Sequence, residues 1–170
     1  MKQAWINYNQ SVAEKNKIVA HGAITPSGDT RKSFFRNMDE AAAGMATGVH
    51  SPFIVLEELS GGFTGVLPGA RKKVRTRIYF LGHVHETLND LNTVQTTTET
   101  VMIQFLSRYS YDLEVLGACG PFSKFDPSKA TFAEVGPLLQ NAYGWRIDLE
   151  FLNPAPELNY NPEKWLTNGN

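Results

Sequence analysis

A chain of 170 residues is long enough for one domain with a real core and short for two. Hydrophobic content of 42% with 19% charged residues describes a soluble globular protein and excludes a disordered or membrane-embedded one. A formal net charge of -1 implies no global pull toward nucleic acid or anionic lipid.

Residues 1–33 are polar, with apolar positions at Trp5, Ile6, Val12, Ile18 and Val19, and 25–32 (TPSGDTRK) form a turn-rich break. The expectation is an extended N-terminal arm, 1–32, holding a short helix or reaching a neighbouring subunit. Trp5 favours docking over disorder. Residues 33–48 read as a helix capped by Ser33, with Phe34, Met38, Ala41, Ala42 and Met45 at helical spacing and Gly48 at its end.

PFIVLEEL, from Pro52, is apolar on both faces as a central strand would be. Residues 60–70 form a Gly-rich loop too long for a tight hairpin turn. In the next strand Val74, Thr76, Ile78 and Phe80 point one way, and Lys73, Arg75, Arg77 and Tyr79 the other. The two strands are expected to pair antiparallel.

Residues 85–109 form the organising helix. Leu88, Leu91, Val94, Thr98, Val101, Met102, Phe105 and Tyr109 share one face. Its Thr-rich middle has poor propensity, so burial must hold it. The stretch after it is broken by Gly117, Gly120, Pro121, Pro127, Gly136 and Pro137, and reads as loops with one or two short strands. Trp145, Ile147, Leu149 and Phe151 then alternate with Arg146, Asp148 and Glu150 in a half-buried strand. A Pro-rich C-terminal arm, 153–170, ends near Trp165.

No catalytic signature stands out. Cys119 is the single cysteine, so an internal disulfide and a cysteine zinc site are excluded, and it has no evident His partner. No GxSxG elbow is present. The Gly-rich loop lacks phosphate-loop spacing and leads into a strand, not a helix. The N-terminus has no apolar stretch of signal-peptide length and no run approaches a membrane span, so the expectation is synthesis in a cytoplasm without a membrane partner.

Two local features invite function. His83 and His85 share a strand face with Glu86 nearby, the start of a small metal-dependent enzyme site. A third ligand is needed, and neither His21 nor His50 has a supporting motif. The plainer reading is a strand-to-helix junction. Arg71, Lys72, Lys73, Arg75 and Arg77 form a basic strand for nucleic acid or an acidic neighbour. The plainer reading is a solvated face, or cross-strand pairing with Glu57 and Glu58.

The element order resembles the small α+β proteins of tailed-phage necks and tails, the tail terminator family in particular. PFIVLEEL leading to RTRIYFLGHV, the helix HETLNDLNTVQTTTETVMIQFLSRY and the strand NAYGWRIDLEFLNP carry the resemblance, over roughly half the chain. It implies an antiparallel sheet with one long helix and a shorter helix on one face. It further implies a virion structural protein without enzymatic activity or cofactor. Such a subunit forms a homo-oligomeric ring between tail tube and head, beside tail-tube, sheath or neck proteins, with non-specific DNA contact as an option. Expected contact residues are Trp5 and Trp165 on the arms, Phe63, Val66 and Leu67 on the loop, and the basic residues Arg71, Lys72, Lys73, Arg75 and Arg77 as one patch with the acidic residues Glu57, Glu58, Asp148 and Glu150 as its complement. Head-to-tail rings need two different complementary patches on each subunit.

Overall fold

The computed structural model describes residues 1–154 except 58, 67–69, 86–87, 119, 121, 123–124 and 126, with backbone alone at 88, 89 and 154. In chain order the elements are helix α1 (Lys2–Lys15), strand β1 (Phe34–Phe35), helix α2 (Met38–Met45), strands β2 (Phe53–Leu56), β3 (Ser60–Thr64) and β4 (Arg71–His83), helix α3 (Leu88–Leu116), and strands β5 (Thr131–Leu138) and β6 (Ala142–Pro154). The expected α+β class holds.

The sheet has six strands in the order β1-β2-β4-β6-β5, with β3 added to β4 beyond the end of β2. Its spine is the β4–β6 pair, antiparallel from Arg71↔Pro154 to His83↔Ala142. Thus β2 and β3 lie end to end along one side of β4, and β5 flanks β6 on the other. Among the described strand pairs only β1–β2 is parallel.

Alternation on these strands builds two apolar layers. On one face Ile54, Val74, Ile78, Phe80, Ile147, Leu149 and Phe151 meet Thr98, Val101, Met102, Phe105 and Tyr109 of α3. The expected helical stripe is therefore the core-facing one. On the other face Phe53, Val55, Tyr79, Leu81 and Ala142 pack under Ala41, Met38 and Met45 of α2. The shorter helix that shares a face with α3 is α1, and α2 lies on the opposite side.

The N-terminal segment is not an extended arm. Helix α1 buries Trp5, Ile6, Asn9 and Ala13, which recur at helical spacing. Trp5 is 1% exposed and its ring meets Tyr8, Tyr109, Phe122 and Phe151. Asn9 Nδ2 donates to the Trp5 carbonyl at 2.8 Å, and Tyr109 Oη donates to Asn9 Oδ1, which ties α1 to α3. After the helix, Asn16 Oδ1 accepts from the Ile18 and Val19 amides, both at 3.0 Å, and turns the chain.

The helix expected over 33–48 is shorter. Phe34 and Phe35 are both buried, on opposite faces of the sheet, which only a strand allows. The cap is Asn37 rather than Ser33: its side chain accepts from the Glu40 amide at 2.8 Å, while Glu40 accepts from the Arg36 amide at 2.6 Å.

Three further differences matter for the surface. The expected 60–70 loop begins as strand β3, made possible by Gly61, where a Cβ would collide with the Lys73 carbonyl. Helix α3 runs past residue 109 to Leu116, and the apolar stripe breaks off earlier because a polar residue, Asp112, occupies its next buried position. Gly117, at φ 70°, follows it. The broken stretch holds an eight-residue strand, β5, and the β5–β6 connection bends through left-handed Leu139, Gln140 and Asn141.

Candidate functional site

Beyond the patch covered by α2, one face of the sheet carries charge instead of apolar side chains. Strand period places Lys73, Arg75 and Arg77 there from β4, and Arg146, Asp148 and Glu150 from β6. Register sets Arg75 opposite Glu150 and Arg77 opposite Asp148. Glu57 joins from the end of β2, its amide donating to the Arg77 carbonyl at 2.8 Å.

The charges pair in a ladder. Arg77 Nε donates to Asp148 Oδ1 at 2.7 Å, and Arg77 Nη1 to Glu57 Oε2 at 3.1 Å. Tyr79 Oη donates to Glu57 Oε1 at 2.7 Å. Arg146 Nε lies 3.0 Å from Asp148 Oδ2. Lys73 Nζ and Arg75 Nε share Glu150 Oε2, at 2.8 and 3.3 Å. The Asp148 hydrogen bond holds the Arg77 guanidinium well above its ordinary value. The hydrogen bond from Lys73, with that from Arg75, outweighs burial and holds Glu150 below the usual carboxylate range. Burial, then the Glu57 hydrogen bond, pushes the Tyr79 phenol up. Lys129 and Thr131 complete a shallow depression of about 280 Å³ over this ladder.

The basic strand is thus answered by carboxylates. A phosphate binding there would have to displace Glu57, Asp148 or Glu150 from Lys73, Arg75 and Arg77. What the face offers is a patterned array of both signs.

The other expected contact residues fall in different places. Phe63 and Val66 are 53% and 83% exposed, and Lys72 Nζ stands 5.9 Å from the Phe63 ring centroid. Arg71 is exposed at the same end of the sheet. Trp5 is a core residue and not a contact for a neighbour. Glu58, Leu67 and Trp165 lie outside the described residues.

His83 and His85 do come near each other, with ring centroids 6.4 Å apart. His83 packs on Phe53 at 5.4 Å, and burial, then the charge of His85, pushes it below its ordinary value. Among the described residues no group of three His, Cys, Asp or Glu is arranged to hold a metal. Glu86 lies outside them. The arrangement shown is a packed junction between β4 and α3.

Two surface features escaped the sequence reading. Phe132 on β5 is 60% exposed with its ring 5.8 Å from Trp145. Alternation of Phe132 and Glu134 with Ala133 and Val135 was its signal, cut short by Gly136 and Pro137. Ile103, Tyr111, Val115 and Leu116 are exposed on α3, and a groove of about 400 Å³ runs beside α1, lined by Tyr8, Val12, Arg108, Asp112 and Leu116. Asp112 in it is buried, accepting from Tyr8 Oη at 2.7 Å and Arg108 Nε at 2.9 Å. No helix among the described residues is long and apolar enough to cross a membrane.

Comparison of the chain with protein-family models, curated proteins and solved structures finds no match.

Proposed function

We propose that this chain is a structural subunit that assembles head-to-tail into a homo-oligomeric ring, of the kind that terminates the tail or forms the neck of a tailed phage. The observation that carries the ring is a pair of unlike sheet edges, β3 and β5, that no described element covers. Among the described residues, strand β3 pairs only with β4 and is exposed throughout, while β5 pairs only with β6 and exposes Phe132, Glu134 and Pro137. Folded monomers blunt long edges with charge, proline or a covering element. Here β3 has no charged residue and β5 has Glu134 alone until the Gly136-Pro137 kink.

A heterologous contact between two different patches on one subunit generates a ring when the rotation closes. The placement at a tail or neck rests on the architectural resemblance. An antiparallel sheet backed by α3 supports it, and the two-sign face of β4 and β6 offers a patterned surface to a tail-tube, sheath or neck protein. In this role the protein acts in the virion, by contacts rather than catalysis.

Electron microscopy of the purified protein tests the proposal. Closed rings of uniform diameter are expected, and their capture on tail tubes would fix the location. A field of single small particles at micromolar concentration would contradict it.

A further inference from the structure

We infer that the subunit contact is a shared sheet, in which β3 of one copy pairs antiparallel with β5 of the next, Phe63 opposite Phe132. This deepens the ring proposal and rests on it. Direction is the first support. Strands β3, β4, β6 and β5 are joined by three antiparallel pairings, so β3 and β5 run in opposite senses. Phe63 is level with Asn153 of β6 and Phe132 with Ile147, so a rotation about an axis inclined to the strands, which offsets successive copies along them, brings β3 and β5 together antiparallel.

Hydrogen-bonding polarity is the second. In an antiparallel pair, residues alternate between exchanging both bonds and exchanging none, so each residue's amide and carbonyl point to one side. The registers run without a slip from Thr64↔Arg71 across to Thr131↔Asp148 and on to Val135↔Gly144. Three successive ladders then leave the outward groups of β3 and β5 on residues of the same sheet face. A strand mated across that gap pairs donors with acceptors and keeps every side chain on its own face.

Side chains are the third. Phe63 faces the α3 side, opposite Lys72 in register with buried Val74 two residues on, and Phe132 takes the same side opposite buried Ile147. Setting Phe63 against Phe132 makes a cross-strand aromatic pair from two exposed rings. The same register sets Gly62 against Ala133, Thr64 against Thr131, Gly61 against Glu134 and Ser60 against Val135, and it ends where Gly136 and Pro137 break the edge. Gly61 leaves space for the Glu134 side chain. The charges agree: Arg71 and Lys72 make the β3 edge positive, and Glu134 is the one charge of β5.

Disulfide trapping tests this in the full chain with Cys119→Ser. Gly62→Cys and Ala133→Cys variants are prepared separately, mixed and oxidised. No atom lies within 4 Å of a Cβ at Gly62, so the β3 change fits the fold. The expected result is covalent dimer in the mixture and none in either variant alone, with a covalent ladder from the double variant. If Ala133→Cys fails to fold by circular dichroism, Thr64→Cys with Thr131→Cys reports the same register. Rings in the microscope without this cross-link would overturn the shared sheet and leave the ring standing. Self-cross-linking of Ala133→Cys would show a two-fold β5 contact and overturn both, as would a monomer.

Discussion

The Arg77 guanidinium lies 2.7 Å from the Asp148 carboxylate, directly opposite it across the β4–β6 ladder. This contact decides how the basic strand is understood. Arg77 also reaches Glu57, so one cation ties the middle of β4 to the middle of β6 and to the end of β2. Its side chain is 37% exposed, so solvent screens part of each contact. Arg77→Ala should lower stability by about 1 kcal/mol, more than a lone surface pair, because two carboxylates lose a shared partner. A double-mutant cycle of Arg77→Ala and Asp148→Ala in urea melts reads the coupling. Additive losses would mean the pair contributes nothing.

Removal of the Trp5 ring separates an arm from a core helix. The residue is 1% exposed among four aromatic rings. Trp5→Ala should cost about 3–5 kcal/mol, the range for a large aromatic deleted from a packed interior. Denaturant unfolding of the variant measures it. A loss below about 1 kcal/mol is what an arm would give.

The polar tie beneath that ring gives a second core test. Asn9 joins the Trp5 carbonyl to the Tyr109 hydroxyl at 0% exposure. Asn9→Leu leaves both without this partner and should cost about 2–3 kcal/mol, the desolvation of unmet groups. Adding Tyr109→Phe should recover part of that loss, because it removes the hydroxyl that Asn9 accepted from. Failure to recover any would place the cost in packing alone.

Acid should loosen the N-terminal layer through His21. Its Nδ1 accepts from the Ser33 amide at 3.2 Å. Burial lowers its pKa from 6.5, against the opposing pull of Glu14 and Glu40. A folded pKa below the unfolded one means the unfolded chain takes the proton first. The stabilisation from neutral His21 is therefore full above 6.5 and falls as pH drops from 6.5 toward the lower folded value. His83, lowered by burial and then by His85, adds in the same sense. Thermal melts from pH 7.5 to 5 should show this decline, and His21→Gln should flatten part of it. An unchanged slope in the variant would assign the decline to other groups.

What the sequence revealed follows from the range of its signals. Alternation in β4 and β6 and the 3.6-residue stripe of α3 are local periods carried by many residues, and the structure places those faces as the pattern implies. A short helix near the N-terminus was legible, but the core role of α1 was hidden because Asn9 occupies its buried stripe and that role needs Tyr109, a hundred residues away. The length of β5 was masked by Gly136 and Pro137 at its end, and β3 was hidden by its glycines, of which Gly61 lets it approach β4. The charge ladder was half legible. Glu57 was named as a cross-strand partner, but the answer from Asp148 and Glu150 depends on a β4–β6 register that spans about seventy residues of chain. Edge complementarity is a property of the whole sheet and has no local signature.

Native mass across a micromolar dilution series tests the central claim most directly. A subunit that closes head-to-tail should give one discrete multiple of the 18.9 kDa chain, stable to dilution until it falls to monomer without long-lived open intermediates. A single 18.9 kDa species at every concentration would contradict it, and the two unlike edges would then be only the open sides of a solitary domain.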